Sequence, residues 1–177
     1  MVLRKLIIDS FDIIAPMDSK IDKAITLIKS IEYINIASIT PEGMPWNSPV
    51  YTAFDKDLNF YWFSWKKNQH SINIRNNSNV FVTIYDSTVP SGTGVGLYFS
   101  GQAHELHNVK DILVGATVCY KRAKLTMKAV SNFLTHFPRR VYKFIPEKAW
   151  INGDSDIHGN FIDIRQELNL RDLKEIL

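Results

Sequence analysis

The sequence predicts a mainly β protein, an antiparallel sheet or barrel with flanking α-helices. Five short strand-like segments follow one another between Tyr33 and Leu106, each bounded by turn chemistry. Helical periodicity is confined to segments before, between and after them. The intervals between strands are too short for βαβ units, which excludes a parallel sheet.

Taken in order, Asp18 to Ser30 is an amphipathic helix. Its Ile21, Ala24, Ile25 and Ile28 fall at i, i+3, i+4 and i+7, and Ser19 with Asp22 resembles a capping box. The period then changes. Tyr33 to Ile39 alternates, and Thr40-Pro41-Glu42-Gly43 is a turn. Asn47 to Phe54 is a second strand, Asp55-Lys56-Asp57 the next turn, and Leu58 to Ser64 a third strand. A short helix is predicted from His70 to Asn76. Strands follow at Asn79 to Tyr85 and Leu97 to Leu106. Asn108 to Arg122 and Leu125 to Phe137 are predicted helices, the second carrying a stripe of Leu125, Ala129, Phe133 and Phe137 that Pro138 ends. Arg140 to Ile151 returns to strand character. The tail from Asn152 is predicted to be loop-rich, with one apolar run at Phe161 to Ile164.

A chain of 177 residues is one domain's worth, expected as a barrel core over about residues 33–151 and a tail over 152–177. The net charge of +3 is spread among 21 basic and 18 acidic residues, so no basic stripe calls for a polyanion. The single cysteine, Cys119, excludes an internal disulfide and fits a reducing cytoplasm. The apolar run at the N-terminus is broken by Asp9 and Asp12 and lacks a cleavage motif, and no segment approaches the length of a membrane span. A cytoplasmic protein is the expectation.

Several motifs carry possible chemistry. Ser91-Gly92-Thr93-Gly94-Val95-Gly96 is rich in glycine, but strand-like residues follow it, where a phosphate-binding loop needs a helix; a hairpin connection is expected. On a strand, His104 and His107 diverge, and no further cluster of ligands completes a metal site. Asp154, Asp156 and His158 are expected in a polar exposed loop. Cys119 is expected as a small buried hydrophobe, and no G-x-S-x-G elbow is present. The most informative stretch is Phe60-Tyr61-Trp62-Phe63-Ser64-Trp65, followed by Lys66-Lys67-Asn68-Gln69-His70. As a strand it points Phe60, Trp62 and Ser64 one way and Tyr61, Phe63 and Trp65 the other. A hydroxyl at a strand end, donor side chains and the first turn of a helix together suit a phosphate group; a solvated basic turn is the simpler alternative. Trp62, Trp65 and the adjacent lysines also admit base stacking, against which the lack of a broad basic face counts.

The ordered set of segments resembles the FMN-binding split-barrel superfamily of pyridoxamine 5′-phosphate oxidase, over roughly Asp18 to Trp150. The resemblance rests on Ala37 to Tyr51 as a strand-turn-strand with Gly43, Pro45 and Pro49, and on Leu58 to Ser64. It rests further on His70 to Val80 with Asn73 and Asn77, on Gly101 to Leu106, and on Arg140 to Trp150. It implies a six-stranded antiparallel split barrel that dimerises with FMN at the interface, acting as a flavin-dependent oxidoreductase of unknown substrate. Carried over by position, the implied cofactor residues are Asn47, Ser48, Pro49 and Val50 on the second strand, and Phe63, Ser64, Trp65, Lys67, Gln69 and His70 at the third strand and turn. Gly96 and Leu97 are implied to contribute across the interface. No catalytic residue and no metal ligand is implied. The chain departs from authentic oxidases in carrying Asn47 for an arginine and Gln69-His70 for an Arg-Lys pair, and it lacks their C-terminal arginine motif, so pyridoxamine phosphate oxidation itself is not expected. The alternative on the same fold is a non-catalytic flavin- or haem-binding protein.

Overall fold

A computed structural model describes residues 19–134, 136–157 and 160–177, with the side chains of 154–163 left aside. The N-terminal stretch, Asp18 and His158 lie outside the described residues. Helix α1 (Ser19–Ser30) buries Ile21, Ala24, Ile25, Leu27 and Ile28, the stripe its periodicity predicts, and Asp22 falls in its first turn. Strand β1 (Tyr33–Ile39) pairs antiparallel with β2 (Pro45–Tyr51). The connecting turn is closed by Thr40 and Met44, with Gly43 at φ +86°, a conformation that favours glycine.

The second predicted strand is divided at Thr52. Its N–H donates to Glu32 O at 2.8 Å and its hydroxyl to Tyr61 O at 3.0 Å. The chain thereby turns from β2 into β3 (Ala53–Phe54), which pairs with β4 (Phe60–Trp65). Strands β5 (Asn79–Tyr85), β6 (Gly96–Glu105), β7 (Arg139–Ile157) and β8 (Asn160–Leu168) complete the sheet. Its order is β2-β1-β5-β6-β7-β4-β3, with β8 added on β7. The two ends of that path are β2 and β3, one bent segment of chain, so the antiparallel sheet curls into a split barrel. Among the described residues it has eight strands rather than the six expected. The break at Thr52 adds one and β8 adds the other.

Three expectations need correction. The segment Leu125 to Phe137 is not a helix; only Val130–Phe133 forms a 3-10 turn. Lys124, at φ +54°, ends the preceding α3 (Val109–Arg122), and the chain is then drawn down where Phe133 stacks on Phe63 with ring centroids 4.9 Å apart. Leu125 and Phe137 are exposed, so the apparent stripe was a coincidence of spacing. The tail from Asn152 is not loop-rich. Strand β7 continues through Asp154 and Asp156 to pair with β8, and α4 (Leu170–Ile176) packs Leu173 back into the core. The alternation that marks a strand is masked there by acidic residues. Asp154 and Asp156 therefore lie in a strand, not a polar loop. The glycine cluster does connect two strands, β5 and β6, as a hairpin.

The barrel interior holds Ile34, Ile36, Phe60, Trp62, Val82, Ile84, Leu97, Phe99, Tyr142 and Phe144. Trp62 stacks on Tyr142 at 5.5 Å and 15°. A second cluster forms outside the barrel, where α3 covers Tyr61 and Val141. A Cβ on Gly115 would stand 2.7 Å from the Tyr61 ring, so glycine is what lets the helix approach the sheet. Helix α2 (Gln69–Asn76) caps the end of the barrel, with His70, Ser71, Asn73 and Ile74 turned inward.

Candidate functional site

The structure splits the implied cofactor residues by the period of the strand. Ser64, with Phe60 and Trp62, faces inward and is buried. Phe63 and Trp65 face outward, and so do Asn47 and Pro49 on β2, while Ser48 and Val50 are buried.

Ser64 is the hub of a bonded cluster at the junction of β4 and α2. Its Oγ lies 2.7 Å from His70 Nε2, accepts from Asn68 Nδ2 at 3.0 Å, and accepts from Ser71 Oγ at 3.3 Å. Gln69 is one step away: Gln69 Nε2 donates to Asn73 Oδ1 at 2.8 Å, and Asn73 Nδ2 to Ser38 Oγ at 3.0 Å. Ser38 pairs with Trp46 across β1 and β2, and Trp46 Nε1 donates to Ser48 Oγ at 3.0 Å. Two sets of polar contacts thus meet on α2. One joins Ser64 and His70 at the end of β4, and the other leads from Gln69 through Asn73 and Ser38 toward Ser48 on β2. Phe63 is drawn away instead, between Phe133 and Tyr120 and under the Arg139 guanidinium at 4.5 Å. Trp65 and Lys67 are exposed beside the junction.

Sequence reasoning named Ser64 and His70 but missed Asn68, Ser71, Asn73 and Ser38. A usable signal existed for Asn73, since the i, i+4 spacing from Gln69 places both on one face of α2. Ser38 is 35 residues from Asn73, and nothing local marks it. Also missed was a charged layer under α2. Arg140 Nε donates to Glu105 Oε1 at 3.0 Å, and Arg75 Nη1 to Glu105 Oε2 at 3.2 Å, with the Tyr142 hydroxyl on the same oxygen at 3.1 Å. Glu105 is committed to this layer. Burial pushes the Tyr142 phenol up to about 12, so it stays a donor, and it pushes the Cys119 thiol to about 12, which leaves that cysteine inert.

Burial also lowers the His70 imidazole below its ordinary value of 6.5. The unfolded chain then takes up the proton more readily than the folded one. His70 contributes full stability above about pH 6.5 and loses it as pH falls through the lower folded value. The urea midpoint of the protein is expected to fall between about pH 7.5 and about pH 5, and to fall less in His70→Gln. Equal slopes for the two proteins would show that His70 is not held neutral.

A curled antiparallel sheet with flanking helices is the architecture of the split-barrel class. The family model described as pyridoxamine 5′-phosphate oxidase matches residues 21–151. The chain belongs to that family. A search of curated proteins returned no match. Among solved structures, a heme binding protein from Mycobacterium smegmatis is similar at a TM-score of 0.65 and 13% identity, over 91% of this chain and 62% of that one. The chain thus spans less than two thirds of that protein's length. HutZ, the heme storage protein from Vibrio cholerae, gives 0.57 at 12% identity, over 71% and 89% of the two chains. An F420 reductase gives 0.51 at 16% identity, over 70% and 93%. At these identities the likeness is one of fold.

Proposed function

We propose that this protein binds FMN through the junction of β4 and α2 and acts as a flavin-dependent oxidoreductase, dimeric in the cytoplasm with the cofactor at the interface. The observation that carries the reading is the cluster on Ser64. Asn68, His70 and Ser71 converge on one buried hydroxyl, in a chain of the pyridoxamine 5′-phosphate oxidase family. The donor set fits a phosphate, because hydroxyl, amide and imidazole groups meet there with two lysines adjacent and no carboxylate among them. In this reading Ser64, Asn68 and His70 hold the phosphate, with Gln69 and Ser48 as neighbouring polar groups. The β2 and β4 strands at Asn47 to Val50 and Phe63 to Trp65 form the wall for the flat ring. Bound FMN supplies hydride transfer, and the chain's own part is to hold, orient and shield it. A neutral Gln69 and a His70 held below its usual protonation grip a dianion less firmly than an Arg-Lys pair would.

The second reading is a haem-binding protein on the same fold, supported by a heme binding protein and a heme storage protein among the structural neighbours. The visible spectrum of the purified protein separates the two. The FMN reading expects a flavin band near about 450 nm, or one that appears with protein-bound character on titration with FMN. A Soret band favours haem. A colourless protein that FMN leaves unchanged removes the flavin reading.

A further inference from the structure

A cleft of about 500 Å³ opens beside α2, and its lining includes Lys66, Arg75, Glu105, Phe133, Leu134 and Arg140. Three cations face one carboxylate, an excess of two positive charges. Glu105 is already spoken for, since one of its oxygens accepts from Arg140 and the other from Arg75 and Tyr142. Arg75 and Lys66 keep donors to spare. Arg75 uses Nη1 toward Glu105 and Nη2 toward Lys66 O at 2.6 Å, two of the five N–H donors a guanidinium carries. The Lys66 ammonium forms no ion pair with any described residue. Phe133 and Leu134 supply an apolar wall, and the volume is that of a small-molecule site.

We propose that this cleft binds a small organic anion, with a phosphate or carboxylate on Arg75 and Lys66 and an apolar body against Phe133 and Leu134. Fixed cations with unused donors beside an apolar wall select for a molecule that is acidic at one end and hydrophobic at the other. The cleft includes none of Ser64, Asn68, His70 and Ser71, although Lys66 lies in the turn that joins the two places. Arg75 stands near the C-terminal end of α2, where His70 and Gln69 are at the N-terminal end.

The test is calorimetric titration of the full chain with phenyl phosphate and with benzoate, each with and without excess FMN. One phenyl phosphate or benzoate is expected per chain. Arg75→Met and Lys66→Met should each weaken it about tenfold, the loss of one charged contact. Both side chains reach solvent, so a melting temperature near wild type is expected and shows that each variant is folded. Preference for one probe tells which acid the site takes, and either result supports it. One-for-one displacement by FMN would place the probe in the flavin site and overturn the proposal. So would no binding of either probe at about 10 mM, well above small-ligand affinities of interest, or equal affinity in wild type and both variants. The arms without FMN stand whether or not the protein binds flavin.

Discussion

Replacing Glu105 by alanine is expected to destabilise the fold by about 3 kcal/mol, the consequence of removing one partner from a buried ion pair. The Glu105 and Arg140 side chains are only 8% and 9% exposed. Without the carboxylate, Arg140 retains carbonyl contacts such as that to Arg139 O at 3.0 Å, but it loses its ion pair with Glu105. The Tyr142 hydroxyl loses its acceptor in the same step. For a chain of this size the melting temperature should drop by roughly 10 °C. The Arg75→Ala variant supplies the contrast. Its side chain is 42% exposed, so breaking its contact to the same carboxylate should cost under about 1 kcal/mol. Thermal unfolding of the two variants side by side measures the difference. A Glu105→Ala protein as stable as Arg75→Ala would mean the layer is wet and contributes little.

The second large effect concerns the cofactor reading. The double variant Ser64→Ala, His70→Ala is expected to weaken FMN binding roughly 10- to 100-fold, two lost hydrogen bonds' worth. The two side chains lie 2.7 Å apart, so their single effects should not add; each substitution already frees the other from its partner. Fluorescence titration of FMN against wild type, both single variants and the double variant measures this coupling. Folded proteins of unchanged affinity would move the phosphate away from the β4–α2 junction and leave the fold untouched.

Much of the barrel was legible from pattern. Strands such as Tyr33–Ile39 and Asn79–Tyr85 fall where alternation puts them, since one face of each meets the core and the other does not. The same rule puts Ser64 and Trp65 on opposite faces. Pattern failed where a tertiary contact overrode it. Phe133 settled on Phe63 instead of joining a helical stripe, and the acidic arm of β7 became a strand because β8 pairs with it.

The site divides along the same line. The sequence by itself determined that a hydroxyl ends a strand just before a short helix with donor side chains, because those features lie within a dozen residues of one another. Only the tertiary structure decided that His70 turns inward onto that hydroxyl, and that Asn73 reaches Ser38 on another strand. It alone also gathered Arg75, Arg140 and Tyr142, which lie 30 to 37 residues from Glu105 in sequence, around that carboxylate in one layer. Strand periodicity fixes the face on which a residue sits. Which residues meet on that face depends on the register between strands distant in the chain, and that register emerges only when the sheet closes.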